Sequence, residues 1–212
     1  MDKGLRNPKH KHKGPAMPWR PGPLLIQKRF LYSIFMSGHS KWAQIKHQKG
    51  AADAKKSQMF SKLARVIAVA ARKGDKPEAN AELRAAIEKA KAINMPNENI
   101  ERAIRHGSGK EAGAQLENIR FEAYGPGGSA IIIEAITDNK NRTLAEIKHL
   151  LSFSEAKLAN PGSVLWAFNN VGGKWEAKNN LELSETDAQV LDKLLEELDD
   201  HEGVQEIFTN AI

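Results

Sequence analysis

The chain is expected to fold as an α+β protein: a basic three-helix bundle, then a two-layer α+β domain built on a mainly antiparallel sheet. Two observations predict this. Apolar residues recur at helical spacing between Asp53 and Ile104, then alternate from Leu116 onward. The charge changes where the period does. Residues 1–112 carry 24 Lys+Arg against 9 Asp+Glu, a net of +15, whereas residues 113–212 carry 8 against 17, a net of −9. One half suits an anionic partner that the other half would repel.

In order, residues 1–35 read as a disordered basic leader outside the fold. They hold five prolines and one acid, and only Leu24-Leu25-Ile26 and Phe30-Leu31 are apolar, too little to bury. Such a segment suits a transit peptide, an arm, or a stretch upstream of a start at Met36. Residues 36–109 form the basic helical domain. Lys41, Lys46, Lys49 and His47 surround Trp42 and Ile45, a pair that suits the cap of a small helical core or a base-stacking ring.

From Asp53 a helix places Phe60, Leu63, Ile67 and Ala70 on one face. Lys55, Lys62 and Lys73 fall on one line opposite, with Arg65 and Arg72 beside it. Gly74 is expected to stop it. A second helix, about 78–93, is expected to bury Leu83, Ile87 and Ala90 and to display Arg84, Lys89 and Lys91. A third opens at Pro96 and closes at Gly107, with Glu98–Arg102 and Glu101–Arg105 as i,i+4 pairs. Gly107-Ser-Gly-Lys-Glu111 half resembles a phosphate loop, but Glu111 stands where a hydroxyl is needed and the segment follows a helix. It reads as a helix stop and a linker, 110–115.

In 116–212, Leu116–Tyr124 and Ala130–Ile136 are strands joined by the turn Tyr124-Gly-Pro-Gly-Gly128. Thr143-Leu-Ala-Glu146 is a capping box that should start a helix. Ser163–Phe168 is expected as a third strand and Lys174–Ala177 as a short fourth. Ser184 should cap the last helix, and Val204–Thr209 is the last strand.

The chain has no cysteine, so disulfides and thiolate chemistry are excluded and a reducing, cytoplasmic setting is expected. No stretch is long enough to span a membrane as a helix. Hydrolase, metalloprotease and dinucleotide-binding signatures are absent, so the expectation is a protein that is not an enzyme, with no cofactor, metal or small-molecule substrate. Asp138-Asn-Lys-Asn-Arg142 is the one dense polar cluster outside the basic half. The candidate nucleic-acid contacts are Lys41, Trp42, Lys46, His47, Lys49, Lys55, Lys62, Arg65, Arg72, Arg84, Lys91 and Arg142.

Several motifs occur together: Gly38-His-Ser-Lys-Trp42, Phe60-Ser-Lys-Leu63, Asn94-Met-Pro96, Asn99-Ile-Glu-Arg-Ala-Ile104, Tyr124-Gly-Pro-Gly-Gly128, Thr137-Asp-Asn-Lys-Asn-Arg-Thr143 and Gly162-Ser-Val164. In that order the chain closely resembles the YebC/PmpR family from Met36 onward. The resemblance implies a helical domain followed by α+β domains, and a start at Met36. It also implies a role in gene expression, either as a DNA-binding transcriptional regulator or as a translation factor acting on the ribosome at proline-rich stalls. The expected partner is DNA, or ribosomal RNA and tRNA, bound by a monomer. The family's further inserted domain is expected to be missing near 169–183. Its glycine-rich approach to Gly-Ser-Val reads Ala156-Lys-Leu-Ala-Asn-Pro161 here.

Overall fold

The computed structural model describes residue 1 and residues 52–212. All the described elements lie in one compact unit. The leader and the five candidates Lys41, Trp42, Lys46, His47 and Lys49 fall outside the described residues.

Helix α1 spans Ala52–Ala71 and buries Leu63, Ile67, Ala68 and Ala70, the face its periodicity predicts. It stops at Ala71, three residues before Gly74. Asn80 explains the short connection that follows. Its Nδ2 donates to the Ala70 and Gly74 carbonyls, both at 2.8 Å, and its Oδ1 accepts from Leu83 N at 3.0 Å. One buried side chain therefore closes the end of α1 and caps the start of α2, Ala81–Ala92. That is why α2 begins at 81 rather than 78. Its buried residues are Leu83, Ala86 and Ala90, and Ile87 is only half-buried, against expectation.

Helix α3, Asn97–Gly107, turns Ile100 and Ala103 inward and packs on α1. Gly107 sits where the two helices touch. A Cβ built there would lie 2.0 Å from the Ala68 carbonyl oxygen. The glycine expected to end a helix is also the residue that lets two backbones meet.

The main sheet has the order β3-β1-β2-β6 and is antiparallel throughout: β1 Glu117–Tyr124, β2 Ala130–Thr137, β3 Lys157–Leu158, β6 Val204–Thr209. Helix α4, Lys140–Ser152, and helix α5, Glu185–Asp200, cover one face. Phe121, Ala123, Ile131 and Ile133 of the sheet meet Ile147, Leu151, Leu194 and Leu198 there. On the other face Ala130, Ile132 and Phe208 pack under Val164, Ala167 and Phe168. Glu134 and Glu206 are register partners on that same face. Burial, and then the Glu134 charge, raise the Glu206 carboxyl above the ordinary carboxylate range.

Three expectations are corrected. Ser163–Phe168 is not a sheet strand; a one-turn 3-10 helix occupies Leu165–Ala167, and Phe168 begins a separate hairpin of β4 (Phe168–Val171) and β5 (Lys174–Ala177). The reason is Glu122. Its carboxylate, 3% exposed, accepts from Gly162 N at 2.8 Å and Val164 N at 3.0 Å, taking amides that a strand would have paired. The third sheet strand is instead the two-residue β3, inside Ala156–Pro161. Finally, α4 starts at Lys140 rather than at the capping box. Asn139 caps it, accepting from the amides of Asn141 and Arg142, both at 3.1 Å. Thr143 is buried one turn in, its hydroxyl 2.8 Å from that of Thr137. Ser184 caps α5 as expected.

Candidate nucleic-acid interface

The basic stripe of α1 does not run bare through solvent. Lys62 Nζ donates to the Asp199 carbonyl at 2.6 Å and to its carboxylate at 3.0 Å, and Gln58 Nε2 donates to the same carbonyl at 3.0 Å. An ammonium here meets the negative end of α5, where the last carbonyls lack helical partners. The Lys62 and Asp199 side chains are only 13% and 19% exposed. Arg65 follows one turn later, with Nη2 3.0 Å from Glu202 and Nη1 3.5 Å from the Ile136 carbonyl. Arg72 is exposed and donates to the Leu116 carbonyl at 2.7 Å. These contacts fasten the helical elements to the sheet.

The fastening opens a groove of about 600 Å³ between them. Its walls are Ser57, Phe60, Ser61 and Arg65 of α1 and Asn99, Arg102 and His106 of α3. Glu111 and Leu116 before β1 and Asp138 and Arg142 at the start of α4 add to them, and the small or apolar side chains of Ala64, Ala68, Met95, Ala103, Ala112 and Ala114 fill the rest of the lining. Three guanidiniums and an imidazole thus share one cleft with two carboxylates. Ser57, Ser61 and Asn99 add hydroxyl and amide groups to the lining, and Phe60 adds a benzene ring. The guanidiniums are the groups in this lining that can take phosphate oxygens.

The sequence-derived candidates divide accordingly. Arg65 and Arg142 are brought together in the groove. Arg84 and Lys91 line a second depression of about 460 Å³ between α2 and α3, where Glu78, Glu88 and Glu101 offset them. Arg84 also donates to the Pro77 carbonyl at 3.2 Å. Lys55 is half-exposed on the early turns of α1. Lys62 serves the α5 contact.

Arg102, His106 and Asn99 were not among the candidates, although their i, i+3, i+7 spacing puts them on one face of α3. The two expected ion pairs on α3 do not form. Arg102 Nη2 donates to Asn99 Oδ1 at 3.2 Å, and Arg105 lies 3.8 Å from Glu111. Arg102 has no carboxylate partner among the described residues, whereas Arg142 pairs with Asp138 and lies 3.9 Å from Glu146. The segment beyond α3 is pinned as well. Lys110 donates to Asp75, and that hydrogen bond, with the ammonium charge, holds the Asp75 carboxyl below its ordinary range. Among the described residues no group of three or more His, Cys, Asp or Glu is arranged to hold a metal, and no helix is long and apolar enough to cross a membrane.

Comparison with known proteins agrees with this layout. Residues 40–110 match the TACO1/YebC protein N-terminal domain, and residues 116–174 match the TACO1/YebC second and third domain. A "Probable transcriptional regulatory protein" of Petrotoga mobilis is 47% identical over 183 residues, spanning 82% of this chain and 70% of the relative. One of Pseudothermotoga lettingae is 57% identical over 138 residues, spanning 65% of this chain and 54% of the relative. Among solved structures, the conserved hypothetical protein Aq1575 from Aquifex aeolicus superposes with a TM-score of 0.74 at 33% identity, covering 82% of this chain and 97% of that one. With both parts of the family matched in order and a solved relative of the same fold, this chain belongs to the TACO1/YebC family.

Proposed function

We propose that this protein is a non-enzymatic regulator of gene expression that binds the phosphate backbone of a nucleic acid, DNA in the first reading. The observation that carries it is the groove in which Arg102 and His106 of α3 meet Arg142 of α4, with Arg65 of α1 on its wall and already paired with Glu202. The names of the Petrotoga and Pseudothermotoga relatives support a regulatory role. The strongly basic segment 36–52, with Lys41, Trp42, Lys46, His47 and Lys49, adjoins α1 in sequence and would add contacts. Lys55, Arg72, Arg84 and Lys91 would extend the basic surface, while Lys62 holds α1 in place.

One observation favours structured RNA, as on a ribosome, as the second reading. The most basic helix turns Lys62 onto the end of α5 and Arg65 towards Glu202 and the Ile136 carbonyl rather than presenting them to a major groove. A cleft between elements suits an irregular backbone better than a straight duplex.

The test is affinity for duplex DNA and for ribosomal subunits across a salt series. Arg102→Glu with Arg142→Glu removes two phosphate contacts, so the log–log salt slope should flatten by about two units and affinity should fall at least about tenfold. Both side chains are exposed, so the melting temperature should hold. An unchanged slope and affinity for both partners would rule the groove out. The partner that loses affinity identifies the reading.

A further inference from the structure

Tyr124 and Trp166 are large rings left exposed, at 37% and 57%, and they touch. The Tyr124 hydroxyl donates to the Ser163 carbonyl at 2.6 Å and accepts from the Trp166 indole N–H at 3.4 Å. Each ring has its polar atom occupied within the protein, so what it offers to solvent is its face. The loop that carries Trp166 is fixed. Glu122 holds Gly162 and Val164 by their amides, and Val164 and Ala167 on either side of the Leu165-Trp166 pair are fully buried. An exposed indole on an anchored loop is ordered before any ligand arrives.

The surroundings indicate which ligand. Residues 155–178 hold three lysines against two acids, at the two ends of the stretch, inside a half of the chain whose net charge is −9. Lys157 is exposed and is the register partner of Tyr124, and the Lys178 amide donates to the Ala167 carbonyl at 2.8 Å, next to Trp166. Tyr124 ends β1, while Leu116, just before its start, lines the groove. Eight extended residues separate the two ends by about 24 Å, a span that several nucleotides bridge.

We propose that Trp166 and Tyr124 form a stacking platform for an unpaired base of the nucleic acid whose backbone lies in the groove. The protein would then prefer a single strand, or a strand with an extruded base, to a perfect duplex. This rests on the nucleic-acid reading above and deepens it. Aromatic platforms accept any base, because every base has a π face, and flanking cations hold the phosphates.

The experiment measures binding of a labelled single-stranded oligonucleotide and of a duplex of the same sequence to the full chain, to Trp166→Ala and to Trp166→Phe. The Ala variant should lose about tenfold on the single strand and retain its affinity for the duplex, and the Phe variant should bind the single strand nearly as the parent does. Single-strand binding unaffected by Trp166→Ala, with salt dependence intact, would overturn the platform and leave the groove standing. An equal loss on both ligands, or a Phe variant as weak as the Ala variant, would assign the effect to loop structure or to the indole hydrogen bond and overturn it too. If the parent binds neither ligand at any salt, the nucleic-acid reading falls and the platform with it.

Discussion

Gly107→Ala is expected to lower stability by about 3 kcal/mol, the upper range for overpacking a tight contact. Two effects compete. Alanine is the better helix former by about 1 kcal/mol, so on propensity alone the change would stabilise the last turn of α3. Against this, the new Cβ would sit 2.0 Å from the Ala68 carbonyl oxygen and 2.6 Å from its carbonyl carbon. Both are backbone atoms in the last turn of α1, and neither can swing aside as a side-chain tip would. Either α3 moves away from α1, exposing Ile100, Ala103 and Ile67, or the helix end unwinds. The groove distorts in both cases, because Arg102 and His106 lie on that same helix. Urea unfolding of the variant checks this, and a midpoint at or above the parent's would show that the helices do not approach so closely.

Glu122→Gln is expected to cost about 2–4 kcal/mol although it keeps shape and volume. Both carboxylate oxygens accept from backbone amides, Gly162 N at 2.8 Å and Val164 N at 3.0 Å. An amide side chain has one acceptor oxygen only, so its NH₂ must face one of those N–H groups, donor against donor. Facing Val164, it leaves a buried amide unsatisfied; facing the more exposed Gly162, it sets two donors against each other at the loop's edge. Glu122→Ala strips both amides of their partner and should cost at least as much. The loop carrying Trp166 is the part to fail first, so proteolysis within 159–168 should accelerate alongside the drop in unfolding free energy. A Gln variant as stable and as protease-resistant as the parent would show that the carboxylate is not what holds the loop.

What was legible in the sequence is what local patterning controls. The helical periods of α1, α2 and α3 and the alternation of β1 and β2 are written in consecutive residues, and Ser184 caps α5 where its side chain suggests. What was not legible depends on residues far apart in the chain. Val164-Leu-Trp-Ala-Phe168 reads as a strand because it is apolar, yet an acid about forty residues earlier takes its first amide. Lys62 reads as a phosphate contact on a basic stripe, and only the fold brings Asp199 to it, 137 residues away in sequence. Arg102 reads as half of a local ion pair, since i,i+4 spacing permits one. The groove it lines exists only once α1, α3 and the start of α4 are assembled. The candidate site was therefore half legible: Arg65 and Arg142 were named from charge, and Arg102 and His106 needed the packing.

On the proposed function, one groove between the helical elements and the sheet receives a nucleic-acid backbone. Amide hydrogen exchange on the full chain, with and without saturating nucleic acid, addresses it most directly. The account predicts slowed exchange at 57–65 on α1, at 99–106 on α3 and at 138–142 before and within the first turn of α4, together and at the same ligand concentration. Protection confined to other surfaces, with these three segments exchanging as in the free protein, would contradict it.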